Sequence, residues 1–345
     1  MQDRHEVVVV TGAGAGLGRA VAREFARHGA AVGLISRNQR RLEAAKSEVE
    51  ALGGRAVIIS ADMAHADQVE HAASHIEQRL GPIDIWVNGA MTTVFSPLHE
   101  MSPEEFKRVN DVTYMGYVHG TMAALKRMRP RNRGTIVQVG SALAYRPIPL
   151  QTAYCGAKHA IKGMTEGLRC ELMHDGSDVH VTLVEMPALN TPQFDWCKSH
   201  LLRRARPVAP VYQPEVGARA VYWAAHQRRR QVYVGVSSLL TIWGNKLAPG
   251  MMDRFMARTA VSGQQTSEAE DPDRPDNLWQ PVSGDMGARG RFGRESKNRS
   301  EQFWLTTHRN QVGLIAGSLL LAGAAMLCTV NRQQRQTTSR LPVLR

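Results

Sequence analysis

Apolar positions recur along this chain in two rhythms. One is a series of short, nearly continuous runs at 7–10, 31–36, 56–60, 83–87, 134–139, 180–184 and 231–234. Runs of this length, rich in Val and Ile, suit strands buried on both faces of a parallel sheet. The other rhythm is a helical spacing of apolar residues over 17–28, 39–52, 66–80, 103–128, 153–174 and 214–226. Side chains three and four apart share a face, so each segment can cover the sheet on one side. The alternation predicts an α/β fold: a doubly wound parallel sheet of Rossmann type in a single domain. No repeat of solenoid type interrupts it.

Beyond residue 263 the rhythm is lost. Residues 264–276 are polar and acidic, and 283–300 are rich in Gly, Arg and Ser. That composition predicts a linker or a loosely ordered extension. Leu278-Trp279 and Phe303-Trp304 within it suit docking on the domain or a membrane interface. Residues 312–330, VGLIAGSLLLAGAAMLCTV, are nineteen uncharged positions. At about 1.5 Å per residue they nearly match a hydrocarbon core of roughly 30 Å, which predicts a transmembrane helix of minimal length. A re-entrant or surface-lying helix is the alternative. The predicted organisation is a catalytic domain over 1–250, an extension over 251–311, a membrane helix over 312–330 and a basic tail over 331–345.

Composition narrows the function. The chain has 345 residues, 43% of them hydrophobic, which suits one large domain with an extension. Its net charge is +12; residues 285–345 hold ten Lys/Arg against three Asp/Glu, a net of +7. The basic excess is thus mostly in the tail, so no nucleic-acid footprint is predicted. A basic stripe flanking a membrane segment is the simpler reading. Cys155, Cys170, Cys197 and Cys328 form no C-x-x-C pair and no metal-ligand spacing, so reduced thiols and no metal site are expected. Residues 1–6 run straight into the first apolar stretch with no secretory signal pattern. The expected location is a cytoplasmic catalytic domain held at a membrane by the C-terminal helix, with a soluble cytoplasmic protein as the alternative.

The chemistry begins at VVVVTGAGAGLGRA, residues 7–20. Strand, glycine turn and helix N-terminus offer free amides and the positive end of a helix dipole to an anion. That order predicts a dinucleotide pyrophosphate site at Gly12, Gly14, Gly16, Leu17 and Gly18. A second pattern is Tyr154-Cys155-Gly156-Ala157-Lys158, with Ser141 thirteen residues upstream. Tyrosine and lysine four apart share a helix face. A buried ammonium beside a phenol lowers its pKa from roughly 10, which would make Tyr154 a proton donor and acceptor near neutral pH. The second strand ends Ser36-Arg37-Asn38, with no Asp or Glu between Ala30 and Leu42. An NAD site would place a carboxylate there, whereas a guanidinium suits a 2′-phosphate. Arg40 and Arg41 read as a solvated helix start.

Thr11, Gly12, Gly16 and Gly18 in a Thr-Gly-x-x-x-Gly-x-Gly pattern, with Ser141, Tyr154 and Lys158 in a Ser…Tyr-x-x-x-Lys pattern, carry a family likeness. From about 7 to about 236 the chain resembles the classical short-chain dehydrogenase/reductase family. The resemblance implies an oxidoreductase that moves a hydride between a nicotinamide and a carbonyl/alcohol pair. It implies NADP (NADPH) rather than NAD, a small-molecule substrate and a homo-oligomer. Tyr154 would be the proton donor, Lys158 would hold the nicotinamide ribose, and Ser141 would orient the substrate oxygen. Asp62 and Met63 match the position at the adenine ring, and Asn88 and Ala90 match half of the family's Asn-Asn-Ala-Gly. Pro187 and Thr191 match contacts to the carboxamide and diphosphate. Thr113 falls where the family carries an asparagine for a proton relay, with Asn110 as the alternative.

Residues 192–212 mix Phe194, Trp196, Leu201 and Leu202 with Lys198, Arg203, Arg204 and Arg206, and are expected to form a substrate loop with a basic outer face. An apolar substrate is preferred, a membrane-delivered lipid or isoprenoid carbonyl. The competing function is a catalytically inactive NADP-binding membrane sensor or scaffold, which would have no need of an intact Ser141, Tyr154 and Lys158.

Overall fold

The computed structural model describes residues 5–312, with Leu314 and Ser318 beyond them. Seven strands form one sheet: β1 (Val7–Thr11), β2 (Ala31–Ser36), β3 (Arg55–Ser60), β4 (Ile85–Asn88), β5 (Thr135–Ser141), β6 (His180–Met186) and β7 (Gln231–Tyr233). Their order is 3-2-1-4-5-6-7, and every pair is parallel. The chain winds outward from β1 to β3, then restarts at β4 on the other side of β1. A crevice opens at the carboxyl ends of β1 and β4, where the winding reverses.

Helices α1 (Gly16–Arg27), α2 (Gln39–Ala51), α3 (Ala66–Leu80), α4 (Pro103–Asn110), α5 (Gly116–Met128), α6 (Thr152–His174) and α7 (Pro214–Ala225) cover the sheet. In one layer α1 packs beside α2 and α7, and in the other α3 packs beside α5. Tyr117 of α5 meets Ile161 of α6 in a buried cluster. The larger core joins Val7, Val9, Ile35 and Trp86 of the sheet to Ile76 of α3 and Met128 of α5. Local chemistry sets the helix starts. Asn38 caps α2 by accepting from the Arg41 amide at 3.0 Å, and Ser102 with Glu105 forms a capping box on α4.

The structure departs from the sequence pattern in three places. The helix expected over 103–128 is two helices joined by a wider turn, Asp111–Met115. At that turn the Thr113 hydroxyl donates to the Thr92 carbonyl at 3.0 Å and accepts from the Thr92 amide at 3.1 Å. Apolar periodicity cannot register an inserted turn whose cause is a side-chain bond to a distant loop. Second, two further helices follow β7: α8 (Val236–Leu247) and α9 (Pro249–Gly263).

Third, residues 264–300 are no loose extension. Gln265–Ala269 pairs antiparallel with Arg203–Ala205, and Ser296–Lys297 pairs with Val211–Tyr212. Leu278 is fully buried among Val94, Val109 and Ala153, and Phe292 packs with Phe95 and Phe194. A few apolar anchors fix a polar stretch whose average composition reads as linker. The same pairing ties down 192–212, and Phe194, Trp196 and Cys197 within it are core residues.

One compact unit ends at Ser300, and the short helix Glu301–Thr307 belongs to a second. Among the described residues no helix is long and apolar enough to cross a membrane. The apolar segment 312–330 lies outside them, apart from Val312, Leu314 and Ser318.

Candidate active site

The crevice holds a cavity of about 360 Å³ that runs from the glycine turn to the α6 face carrying Tyr154. The turn is shaped by backbone demands. Gly12 has φ +73°, and a Cβ at Gly18 would strike the Gly12 carbonyl. Only glycine lets α1 start this close to β1 and leave its N-terminus facing the cavity. Gly12, Gly14, Gly16, Leu17 and Gly18 all line it. So do Ser36, Arg37, Asp62, Met63 and Ala90. At the other end Ser141, Tyr154 and Lys158 converge with Pro187 and Thr191.

Two predicted residues are placed elsewhere. Asn88 is fully buried behind the cavity. Its amide donates to Gln138 at 2.9 Å and Thr121 at 3.1 Å, and its carbonyl oxygen accepts from the Trp86 indole at 2.8 Å. It ties β4 to β5 and α5. Thr113 is fully buried with its hydroxyl committed to Thr92, so it fixes the wide turn and does not reach the cavity wall. Asn110, the alternative, does not line the cavity either, and its amide donates to the Phe106 carbonyl at 2.9 Å.

At the catalytic end, the Lys158 ammonium donates to the Val139 carbonyl at 2.7 Å and the Tyr117 hydroxyl at 3.0 Å. It lies 5.5 Å from the centre of the Tyr154 ring. Burial pushes Lys158 down to about 7, against Glu185, which favours its charge. Burial also holds Tyr154 above its ordinary range, while a hydrogen bond with Ser141 works the other way. This corrects the expectation of a depressed Tyr154. Desolvation of the phenolate is the largest effect, and Cys155 and Glu185 raise the pKa further.

Glu185 is a residue that pattern reading misses. It stands in β6, fully buried, accepting from Gln231 at 2.8 Å and from the Tyr145 hydroxyl at 3.2 Å. Burial raises its carboxyl to about 7, against Tyr145, Gln231 and Lys158. The signal was present: a lone acid in the apolar run VTLVEM. Tyr117, which partners Lys158, gave no such sign on a helix of mixed character.

At the end lined by Arg37 and Asp62 the extension crosses the cavity as a strap. Arg37 donates to the carbonyls of Asn277, Leu278 (3.3 Å) and Trp279 (3.0 Å). Arg41, read as solvated, is buried and donates to Val282 at 2.6 Å and Gly284 at 2.7 Å. Asp285 pairs with Arg19, and the Gly16 amide donates to the Gly287 carbonyl at 3.1 Å. Asn277 and Pro281 line the cavity beneath. Arg108 donates to the Leu278 carbonyl at 3.0 Å and pairs with Asp62. Against the burial that would raise it, Arg108 and the Ala64 amide hold the Asp62 carboxyl below its usual value. Arg37 and Arg41 have no carboxylate within salt-bridge distance among the described residues, and burial pulls both below the ordinary arginine range. Two guanidiniums bound only to neutral carbonyls in a cleft suit an added anion.

A parallel sheet in this order, a glycine turn on β1 and a Ser–Tyr–Lys group on β5 and α6 define a nucleotide-dependent oxidoreductase site. The family model for short chain dehydrogenases matches residues 6–199, and the chain belongs to that family. An uncharacterized oxidoreductase of Bacillus subtilis (strain 168), YxnA, is 29% identical over 94% of this chain and 92% of its own. A 3-dehydrosphinganine reductase of Danio rerio is 35% identical over 54% of this chain, a match spanning 57% of that protein. Among solved structures, an alcohol dehydrogenase of the archaeon Thermococcus sibiricus complexed with 5-hydroxy-NADP is 26% identical. It superposes with a TM-score of 0.59 over 67% of this chain and 96% of that one. A metagenomic short-chain oxidoreductase in complex with NADP is 27% identical, with a TM-score of 0.56 over 66% of this chain and 96% of that one.

Proposed function

We propose that this protein is an NADP-dependent oxidoreductase that interconverts a lipophilic carbonyl compound and its alcohol. One observation carries the reading: Ser141, Tyr154 and Lys158 line the same cavity as the glycine turn and Arg37. The residues fit the cofactor. Amides of the turn would hold its diphosphate, Arg37 with Ser36 its 2′-phosphate, and Lys158 its ribose. Bound NADPH would supply the hydride. The Tyr154 hydroxyl gives its proton to the developing alkoxide, and its raised pKa keeps it protonated until that oxygen becomes basic. Ser141 orients the carbonyl oxygen, and Lys158 as ammonium offsets the phenolate left behind.

Apolar Leu143, Ile148, Val208 and Met256 wall the substrate end, which supports a lipophilic substrate. The 3-dehydrosphinganine reductase among the relatives agrees with that choice. The sensor or scaffold reading is weaker, because pure binding gives no reason to keep all three catalytic side chains in the cavity. The apolar segment 312–330 supports anchoring at a membrane with the catalytic domain in the cytoplasm. Following NADPH absorbance over a panel of long-chain ketones and aldehydes tests the activity. No oxidation above background with any of them, while NADPH still binds, would favour the sensor. Fractionation of full-length protein beside a truncation ending at Gln311 tests the anchor, which fails if both stay soluble without detergent.

A further inference from the structure

The helical hairpin α8–α9 is turned inside out. Val236, Leu240, Trp243 and Leu247 stand at i, i+4, i+7 and i+11, one face of α8. In a globular protein such a face is normally buried. Here all four are exposed, Leu240 at 68% and Leu247 at 79%. The polar face points inward instead. Ser237, Ser238 and Thr241 line the cavity, and Asn245 donates to the Tyr145 carbonyl at 2.9 Å. On α9, Met251 and Phe255 are exposed, while Met256 lines the cavity and Ala260 packs on Ile148. Of nineteen large apolar side chains exposed among the described residues, seven fall in these two helices, so they form a patch and not a scatter.

The charges on the hairpin are three basic groups and one acid. Lys246, Arg254 and Arg258 are exposed, with the Lys246 ammonium 5.1 Å from the Trp243 ring centre. The single acid, Asp253, is held by Arg146 at 2.7 Å. We propose that α8–α9 docks on the surface of an anionic bilayer, seating Leu240, Trp243, Leu247, Met251 and Phe255 among the acyl chains and the three basic groups among headgroup phosphates. An amphipathic pair with an aromatic and aliphatic face and basic flanks has the chemistry of an interfacial helix. A second copy is the poorer occupant, since a two-fold contact would crowd these basic groups with no free carboxylate on the hairpin to meet them. The same hairpin roofs the substrate end, so docking brings that end of the cavity near lipid. The uncharged stretch 312–330, later in the chain, agrees with work at a membrane. The docking rests on the patch and not on the reductase reading.

Hydrogen exchange of the full-length protein, read peptide by peptide, tests this. Vesicles of phosphatidylcholine with a minority of phosphatidylglycerol should slow exchange in 236–263. Each basic group near an anionic surface is worth about fivefold, so three predict binding roughly a hundredfold tighter than to phosphatidylcholine alone, lost in high salt. Leu240→Glu with Trp243→Glu should abolish the slowing while turnover of a water-soluble carbonyl persists. That control separates failure of docking from failure of the oxidoreductase reading. Three results would overturn the proposal: no slowing with anionic vesicles, slowing that grows with protein concentration alone and so marks a second copy, or protection without vesicles at every concentration, which marks a cover from the chain's own C-terminal segment.

Discussion

The two ends of the cleft are roofed by consecutive pieces of the same chain, yet built on opposite terms. Over the end lined by Arg37 and Asp62 the strap meets the domain through backbone carbonyls and arginines, anchored by buried Leu278. Over the substrate end, α8–α9 turns serines and a threonine inward and leaves its apolar face outside. The first roof is sealed by polar bonds that an anionic ligand can take over. The second is held by a few polar bonds, among them Asn245 to the Tyr145 carbonyl, and turns apolar side chains outward. One end is thus suited to a charged molecule from water, and the other to an apolar one.

The largest effect should come at the substrate end. Tyr154→Phe keeps the ring and removes the proposed proton donor. Turnover should fall at least about a hundredfold with NADPH affinity retained. Wild-type rates would remove Tyr154 from the mechanism. At the strap end, Leu278→Ala should destabilise the fold by about 2–5 kcal/mol, the range for a buried leucine, as read by denaturant unfolding. A loss under half a kcal/mol would show that the strap is not anchored there. Arg37→Ala should weaken NADPH about ten- to a hundredfold and leave NADH almost unchanged, measured by fluorescence titration. Equal loss for both cofactors would place Arg37 in strap packing alone.

The smallest effect concerns Glu185. Burial lowers Lys158 to about 7, and Glu185 opposes that shift. Without the carboxylate, Lys158 loses its proton at lower pH. Glu185→Gln should therefore move the alkaline limb of the kcat/KM profile downward, and an unmoved limb would leave Glu185 a packing residue.

Sheet, helices and glycine turn were legible because they rest on period and on local chemistry. Val7–Val10 are buried strand residues, and Gly18 has no room for a side chain. Tyr154, Lys158 and Ser141 were legible as a spacing. What escaped depends on contacts across the chain. Arg41 reads as a solvated first-turn residue until the strap covers it. Asn88 resembles a ligand-binding position, yet Trp86, Gln138 and Thr121 use its whole amide. Thr113 looks like part of a relay until Thr92 is seen to hold its hydroxyl on both sides. Leu278 sits in a stretch whose average polarity hides a single core side chain.

Leu278 also sets an order of events. It fills a space bounded by Val94, Val109 and Ala153, all more than a hundred residues earlier. At a synthesis rate of some 5–20 residues per second, those walls leave the ribosome on the order of ten seconds before the residue that closes them. During that interval the nascent domain carries an open apolar notch beside its cofactor cleft. The sheet is complete at β7, but the core is finished only when a late and mostly polar stretch of chain arrives.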